Sequence, residues 1–232
     1  MKEDDRYRII DDLVIIGKAF PQILQDGRAT CCTAGWSPTR GFIRIYPIPP
    51  FSEKLKRWNI ISAKVEINPS DWRDESWKIC DSKNPEEALR NVKVVGKLNR
   101  KEQIRLIKEI LPNQCPCGLN EKRISLGIVK PKIIDTLWDG DKLKIKYECE
   151  QDCLLSSTYT KKDGTTKIYS PHKQQVLEWG VYEWVRKHPE KKKEVIDNLR
   201  LFDKDYDVYF FVGNSYKAPT SFMIISILRF KK

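Results

Sequence analysis

Ala29-Thr30-Cys31-Cys32-Thr33-Ala34-Gly35-Trp36, then Ser37-Pro38-Thr39-Arg40-Gly41, then Phe42-Ile43-Arg44-Ile45-Tyr46-Pro47-Ile48 is the stretch on which the fold turns. Two segments flank a pentad of turn formers, so residues 29–36 and 42–48 are expected to pair as a hairpin. Upstream, Leu13–Ile16 is a short apolar run ended by Gly17 and Pro21. Downstream, Ile61, Ala63, Val65 and Ile67 alternate with Ser62, Lys64 and Glu66, the period of two that marks a strand with one wet face. Val92–Leu98 repeats that pattern more weakly. The N-terminal half therefore reads as strand-rich.

Helical signals begin at Asn99. Its side chain can cap backbone N–H groups, Glu102 stands at the reciprocal position, and Ile104, Ile107 and Leu111 form an apolar stripe that Pro112 stops. Residues 112–120 read as a loop, and Ile124–Val129 as a short segment ending at Pro131. Leu143–Cys149 alternates like a strand, and Lys161-Lys162-Asp163-Gly164 reads as a polar hairpin tip. Leu177, Val181, Trp184 and Val185 share one face of a helix broken by Pro189. Val195, Ile196, Leu199 and Phe202 mark a shorter helix. Val208–Val212 and Phe222–Leu228, divided by Gly213-Asn214-Ser215, read as buried strands. The sum is an α+β fold with a mixed helix and strand C-terminal half. No internal repeat is visible, and one compact domain over residues 1–232 is expected, with a candidate sub-boundary near 112–122.

Charge narrows the function classes. Lys and Arg outnumber Asp and Glu by 43 to 32 in 232 residues, a formal net charge of +11, accompanied by seven Trp, nine Tyr and eight Phe. Neutralising phosphates releases counterions and gives a basic surface binding free energy, so nucleic acid, DNA or RNA, is the expected partner. Solubility charge around an aromatic core is the alternative. No apolar run approaches the roughly 20 residues that span a bilayer, and Met1–Asp5 is acidic with no apolar stretch behind it. A cytoplasmic protein without direct membrane insertion is expected. Seven cysteines, an odd number with Cys31 and Cys32 adjacent, do not read as a secreted disulfide framework.

Three basic clusters could track a phosphate backbone: Lys97, Arg100, Lys101, Arg105 and Lys108; Arg186, Lys187, Lys191, Lys192 and Lys193; and Lys54, Lys56 and Arg57. Trp179 and Tyr182 lie off the centre of their helix's apolar stripe and are candidate anchors for a protein partner or for bases. Cys115, Cys117, Cys149 and Cys153, with His172 downstream, supply enough soft ligands for zinc. Their C-x-C and C-x3-C spacings depart from the usual C-x2-C, so free thiols and no cofactor are expected. Cys31 and Cys32 sit in a strand, where neighbours face opposite ways. Asp71, Asp74, Glu75 and Lys78 could in principle serve a metal-dependent nuclease, yet Arg73 among them favours structural pairing. Neither a nucleophile motif nor a glycine-rich phosphate loop is present, so catalysis is not expected. The readings left open are a non-catalytic nucleic-acid-binding subunit, a nuclease using residues 71–78, and a protein-only interaction module.

Several motifs resemble those of a prokaryotic family: Thr30-Cys31-Cys32-Thr33-Ala34-Gly35-Trp36, Arg44-Ile45-Tyr46-Pro47-Ile48-Pro49, Asp71–Lys78, Ser125-Leu126-Gly127-Ile128-Val129-Lys130-Pro131, Leu177-Glu178-Trp179 and the Tyr209–Gly213 run. They span most of the chain. In relatives a Cys/His-bearing knuckle precedes the Leu-Glu-Trp helix; here it is stretched over Cys153–His172. The chain also resembles the accessory subunits that pair with short archaeal Argonautes in antiviral defence. That resemblance implies a heterodimer in which this subunit completes the guide and target channel, with a separate effector downstream.

Overall fold

The computed structural model describes residues 7–80, 84–110, 115–149, 157–161, 164–168 and 171–232. In chain order the elements are β1 (Tyr7–Lys18), β2 (Gln22–Ile23), β3 (Ala29–Ser37), β4 (Gly41–Ile48), β5 (Asn59–Ile67), β6 (Ser76–Ile79), α1 (Pro85–Ala88), β7 (Val92–Lys97) and α2 (Arg100–Ile110). There follow α3 (Pro116–Glu121), β8 (Leu126–Val129), β9 (Pro131–Asp139), β10 (Lys142–Cys149), β11 (Ser157–Lys161), β12 (Gly164–Ile168) and β13 (His172–Gln175). Last come α4 (Trp179–Lys187), α5 (Glu194–Asn198), β14 (Tyr206–Ser215) and β15 (Ala218–Lys231). The fold is α+β and strand-rich. Contacts divide it into two compact units: residues 1–109 with 177–188, and residues 110–176 with 189–232.

Unit 1 is organised by the expected hairpin. β3 pairs antiparallel with β4, Trp36 opposite Phe42 and Ser37 opposite Gly41. Gly41 closes the turn at φ +79°, a left-handed conformation that a side chain would disfavour. Asp12 of β1 holds the turn from below, accepting hydrogen bonds from Ser37 Oγ at 2.5 Å and Thr39 Oγ1 at 2.8 Å. Burial alone would raise the Asp12 carboxyl, but these hydrogen bonds outweigh it and hold it below the usual range. β1 crosses β3 closely enough that a Cβ on Gly35 would lie 1.9 Å from the Val14 carbonyl oxygen. Only glycine permits that approach.

β1 also pairs with β5, and β4 pairs in parallel with β6, which itself pairs with β5. The ring β1-β3-β4-β6-β5 therefore closes on itself. Counted along the chain, its five strands run 1-2-3-5-4 around the barrel, with one parallel pairing between the third and the fifth. That connectivity is the OB barrel, a five-stranded Greek key. Ile10, Leu13, Ile15, Ile43, Ile45, Ile61 and Val65 fill the interior, each nearly inaccessible to solvent. β7 pairs with the Asn59–Ala63 end of β5, before the Val65–Ile67 part that pairs with β6.

Unit 2 repeats the order without any repeat in sequence. β8 pairs with β14, β14 with β15, β9 with β10, and β10 with β13. Only Lys130 separates β8 from β9, so the two act as one bent first strand. A parallel bridge between Val176 and Ile224 joins the ends of the third and fifth strands. The circuit β8/β9-β10-β13-β15-β14 is again 1-2-3-5-4. Inside it, Tyr147 packs edge-on against Phe210 at 5.1 Å, and its hydroxyl donates to Gln174 Oε1 at 2.8 Å. A buried phenol without that acceptor would cost about 1–3 kcal/mol.

Several local expectations change. The Leu13–Ile16 run is the middle of a twelve-residue strand. Ile67 ends β5 in solvent, 40% exposed. In α2 the buried residues are Leu106, Ile107 and Ile110, while Ile104 is half-buried. Much of the expected 112–120 loop is α3: Cys115 Sγ caps it by accepting the Gly118 N–H, and Pro116 opens its first turn. Pro131 starts β9 on a strand edge, where the missing N–H costs nothing. Gly213 and Asn214 lie inside β14, and the turn falls at Tyr216 and Lys217. Val181 is buried in α4, whereas Leu177, Trp184 and Val185 are half-buried, and Phe202 is 56% exposed. Met1–Asp5, Leu111, Pro112, Cys153 and the hairpin-tip residues Lys162 and Asp163 lie outside the described residues. No helix among the described residues is long and apolar enough to cross a membrane.

Candidate nucleic-acid interface

The three basic clusters have different surroundings. Lys97, Arg100, Lys101, Arg105 and Lys108 are all exposed, with Lys93 of β7 beside them in sequence. The capping box explains why α2 starts where it does: Asn99 Oδ1 accepts the Glu102 N–H at 3.1 Å, and Glu102 Oε2 accepts the Asn99 N–H at 2.7 Å. Glu102 is thereby turned back on the helix start. Glu109 approaches Arg105 at 3.6 Å with both side chains largely in water, a pairing that contributes little. Ile104 sits in a shallow depression between Lys101, Arg105 and Lys108.

Lys54, Lys56 and Arg57 are committed within unit 1. Lys54 Nζ donates to the carbonyls of Leu89 and Val92 at 2.6 and 2.8 Å. Lys56 pairs with Glu53, and Arg57 with Glu178. The remaining cluster is divided between the units. Arg186 and Lys187, in α4, flank Glu183 at 2.8 and 3.3 Å, and hydrogen bonding from Arg186 holds that carboxyl down at about 2. Lys191 and Lys193, in unit 2, are exposed. Lys192 pairs with Asp141 at 3.1 Å and stands 4.6 Å above the Trp138 ring.

Unit 2 carries a second cationic face that was not singled out from the sequence. Lys142, Lys144 and Lys146 point outward from β10 while Leu143, Ile145 and Tyr147 point inward. Lys146 stands directly opposite Lys173 of β13, and both are exposed. Like charges opposite one another destabilise a sheet, so an anion laid across the pair would relieve a cost built into the fold. Lys144 is offset by Asp139 at 2.5 Å, and Lys132 lies 3.8 Å from Glu148. The period-two lysines of residues 142–146 were the available signal, read as a strand but not as a face. β10 and β13 are the second and third strands of their barrel, the pair whose outer face binds oligonucleotides in many OB folds.

On the corresponding strands of unit 1, Trp36, Phe42 and Tyr46 are half-buried and Arg44 is buried, with Trp36 and Phe42 edge-to-face at 4.9 Å. The loop from β5 to β6 packs beside them. Asp71 accepts hydrogen bonds from Arg73 at 2.8 and 2.6 Å and from Ser76 Oγ at 2.6 Å. Burial opposes its ionisation, but these hydrogen bonds prevail and keep the Asp71 carboxyl low. Burial raises Glu75 despite Arg44 and Arg73 nearby. Asp74 is exposed, and Lys78 pairs with Glu66 at 2.8 Å. Asp71 is thus engaged by a cation and a hydroxyl of its own barrel, Glu75 lies near Arg44 and Arg73, and Asp74 is in solvent.

Burial pushes the Cys31 thiol up to about 12, the behaviour of an inert core side chain. Cys115 lies close enough to His172 to oppose the burial that lowers the imidazole. Cys149 is buried and Cys117 half-buried. Among the described residues no three of His, Cys, Asp and Glu form a group that could hold a metal ion.

Trp179 and Tyr182 are half-buried in an aromatic cluster of unit 1. Phe20 lies 6.1 Å from Trp179 and 4.8 Å from Tyr182, and Phe51 meets Trp179 edge-on at 5.3 Å. The outer rings stay in solvent, Phe20 45% and Phe51 71% exposed.

Fold and surface together define a class: two barrels of OB connectivity bearing cationic faces. A family model described as a domain of unknown function, DUF8758, matches residues 10–112, nearly the whole continuous part of unit 1. No curated protein matches the chain. Among solved structures, a murine DNA-binding protein bound with double-stranded DNA is similar at 11% identity and a TM-score of 0.33, over 97% of this chain and 99% of that one. The p202 HIN1 complex with 12-mer double-stranded DNA is similar at 10% identity and a TM-score of 0.33, over 98% and 92%. A structure described as the molecular basis for abrogation of activation of pro-inflammatory cytokines gives 10% and 0.31, over 75% and 81%. Likenesses at this level do not establish a shared fold.

Proposed function

We propose that the protein binds nucleic acid through the phosphate backbone, largely without sequence preference, as a non-catalytic subunit of a larger assembly. The observation that carries this reading is the exposed row from Lys93 and Lys97 to Arg100, Lys101, Arg105 and Lys108, whose nearby acids are a capping Glu102 and a solvated Glu109. A row of solvated cations in which basic residues outnumber acids costs self-repulsion, which a polyanion relieves with counterion release. The Lys146–Lys173 face of unit 2 supplies a second contact. OB connectivity supports the reading by analogy of fold. The absence of intrinsic catalysis is inferred from Asp71, whose carboxylate is already engaged by Arg73 and Ser76. The finer role, accessory subunit to a short Argonaute in antiviral defence, rests on the resemblance of motifs. Unrelated oligonucleotides of equal length should bind the purified protein within a few-fold of one another. Purification from native cells should bring down nucleic acid and a protein partner. A single preferred sequence, or magnesium-dependent cleavage abolished by Asp74→Ala in folded protein, would contradict the reading.

A further inference from the structure

Unit 1 contains a cavity of about 430 Å³, within the range of roughly 300–1,000 Å³ that small-ligand sites occupy. Its walls come from the end of β1, from the 50–57 loop between β4 and β5, and from the start of α4. Phe51 and Trp179 supply ring surface, the Arg57–Glu178 pair supplies donor and acceptor together, and Lys18 supplies charge. Lys18 Nζ donates to the Pro50 carbonyl at 3.0 Å, which leaves further N–H groups for a ligand. Ser52, also in the wall, has a buried hydroxyl with no hydrogen-bond partner among the described residues.

This chemistry selects a ligand class. A cationic guest is disfavoured because both acids in the wall already hold cations, Glu53 with Lys56 and Glu178 with Arg57, and Lys18 leaves the wall with an excess positive charge. A purely apolar guest would leave the Arg57–Glu178 edge without new partners. A planar heterocycle with a polar edge and an attached phosphate uses all three features. We propose that the cavity takes one unstacked nucleotide of a single strand, its base on Phe51 and Trp179, its edge toward Arg57 and Glu178, and its phosphate at Lys18. The proposal rests on the nucleic-acid reading above and adds strand preference to it: a paired base cannot enter, whereas a base in a single strand can.

Binding of a fluorescent mixed-sequence single strand and of the matching duplex, measured on the full chain and on Phe51→Ala, separates the possibilities. Phe51 is mostly in solvent, so its truncation spares the fold. The expected result is about a tenfold loss for the single strand, the scale of one lost stacking contact, with duplex affinity unchanged. Lys18→Gln should weaken single-strand binding in the same direction. Equal single-strand affinity of wild type and Phe51→Ala would overturn the cavity proposal while leaving backbone binding intact. Failure of the wild type to bind either ligand would overturn both.

Discussion

Lys54, Lys56 and Arg57 and the run from Lys97 to Lys108 look equivalent as strings of basic residues, yet the fold uses them in opposite ways. In the first, every cation meets a carbonyl or a carboxylate of its own unit. In the second, the end of β7 and α2 together leave five cations exposed, and Glu102 turns back to cap the helix start. The proposed phosphate contact falls on the cluster that stays in solvent, not on the one bound into its own unit. Local density of Lys and Arg does not distinguish the two cases; the position of the acids does.

That contrast can be broken at several points. The largest effect should come from reversing the helix row. Lys97→Glu, Arg100→Glu, Lys101→Glu and Arg105→Glu together should lower oligonucleotide affinity by about 100-fold at moderate salt, with melting behaviour little changed because the side chains are solvated. Loss of affinity accompanied by unfolding would remove the distinction between the two clusters. A smaller effect, of opposite character, is expected at Lys54. Lys54→Met should destabilise unit 1 by about 2 kcal/mol, because two carbonyls lose a charged donor, while folded protein binds nucleic acid as before. Denaturant titration and anisotropy on the same preparation measure both quantities.

The smallest effect is at Glu75. Burial raises its carboxyl in the folded state, so folding favours the protonated form. Above the unfolded value, near 4.5, ionised Glu75 therefore subtracts stability, and below that value it does not. Glu75→Gln should accordingly stabilise the protein modestly at pH 7, and the gain should vanish as pH falls below about 4.5. A gain that persists undiminished in acid would show that ionisation is not its cause.

What the sequence discloses follows the range of the forces involved. The β3–β4 hairpin is legible because its turn, Ser37 to Gly41, is local chemistry. The inward alternation of Ile61, Ala63 and Val65 is legible for the same reason, and the capping box of α2 fixes both its start and the exposure of its cations. Ring closure is not legible, because β1 meets β5 and β4 meets β6 across long separations that no short pattern encodes. The second barrel is hidden by the split of its first strand at Lys130 and by Pro131, which looks like a stop but begins an edge strand. α3 left a trace that could have been used: Pro116 in the first helical turn, after a residue able to cap. The cavity was beyond reach, since Lys18, Phe51 and Glu178 converge only through the fold.

The central claim is that exposed cations of β7 and α2 bind phosphate, and the salt dependence of binding tests it most directly. Oligonucleotide affinity should be measured across a series of salt concentrations for the wild type and for Lys97→Glu, Arg100→Glu and Lys101→Glu combined. The account predicts that log affinity falls linearly with log salt in the wild type, and that the variant's slope is shallower by about one unit for each phosphate contact removed. Identical slopes in wild type and variant would contradict it.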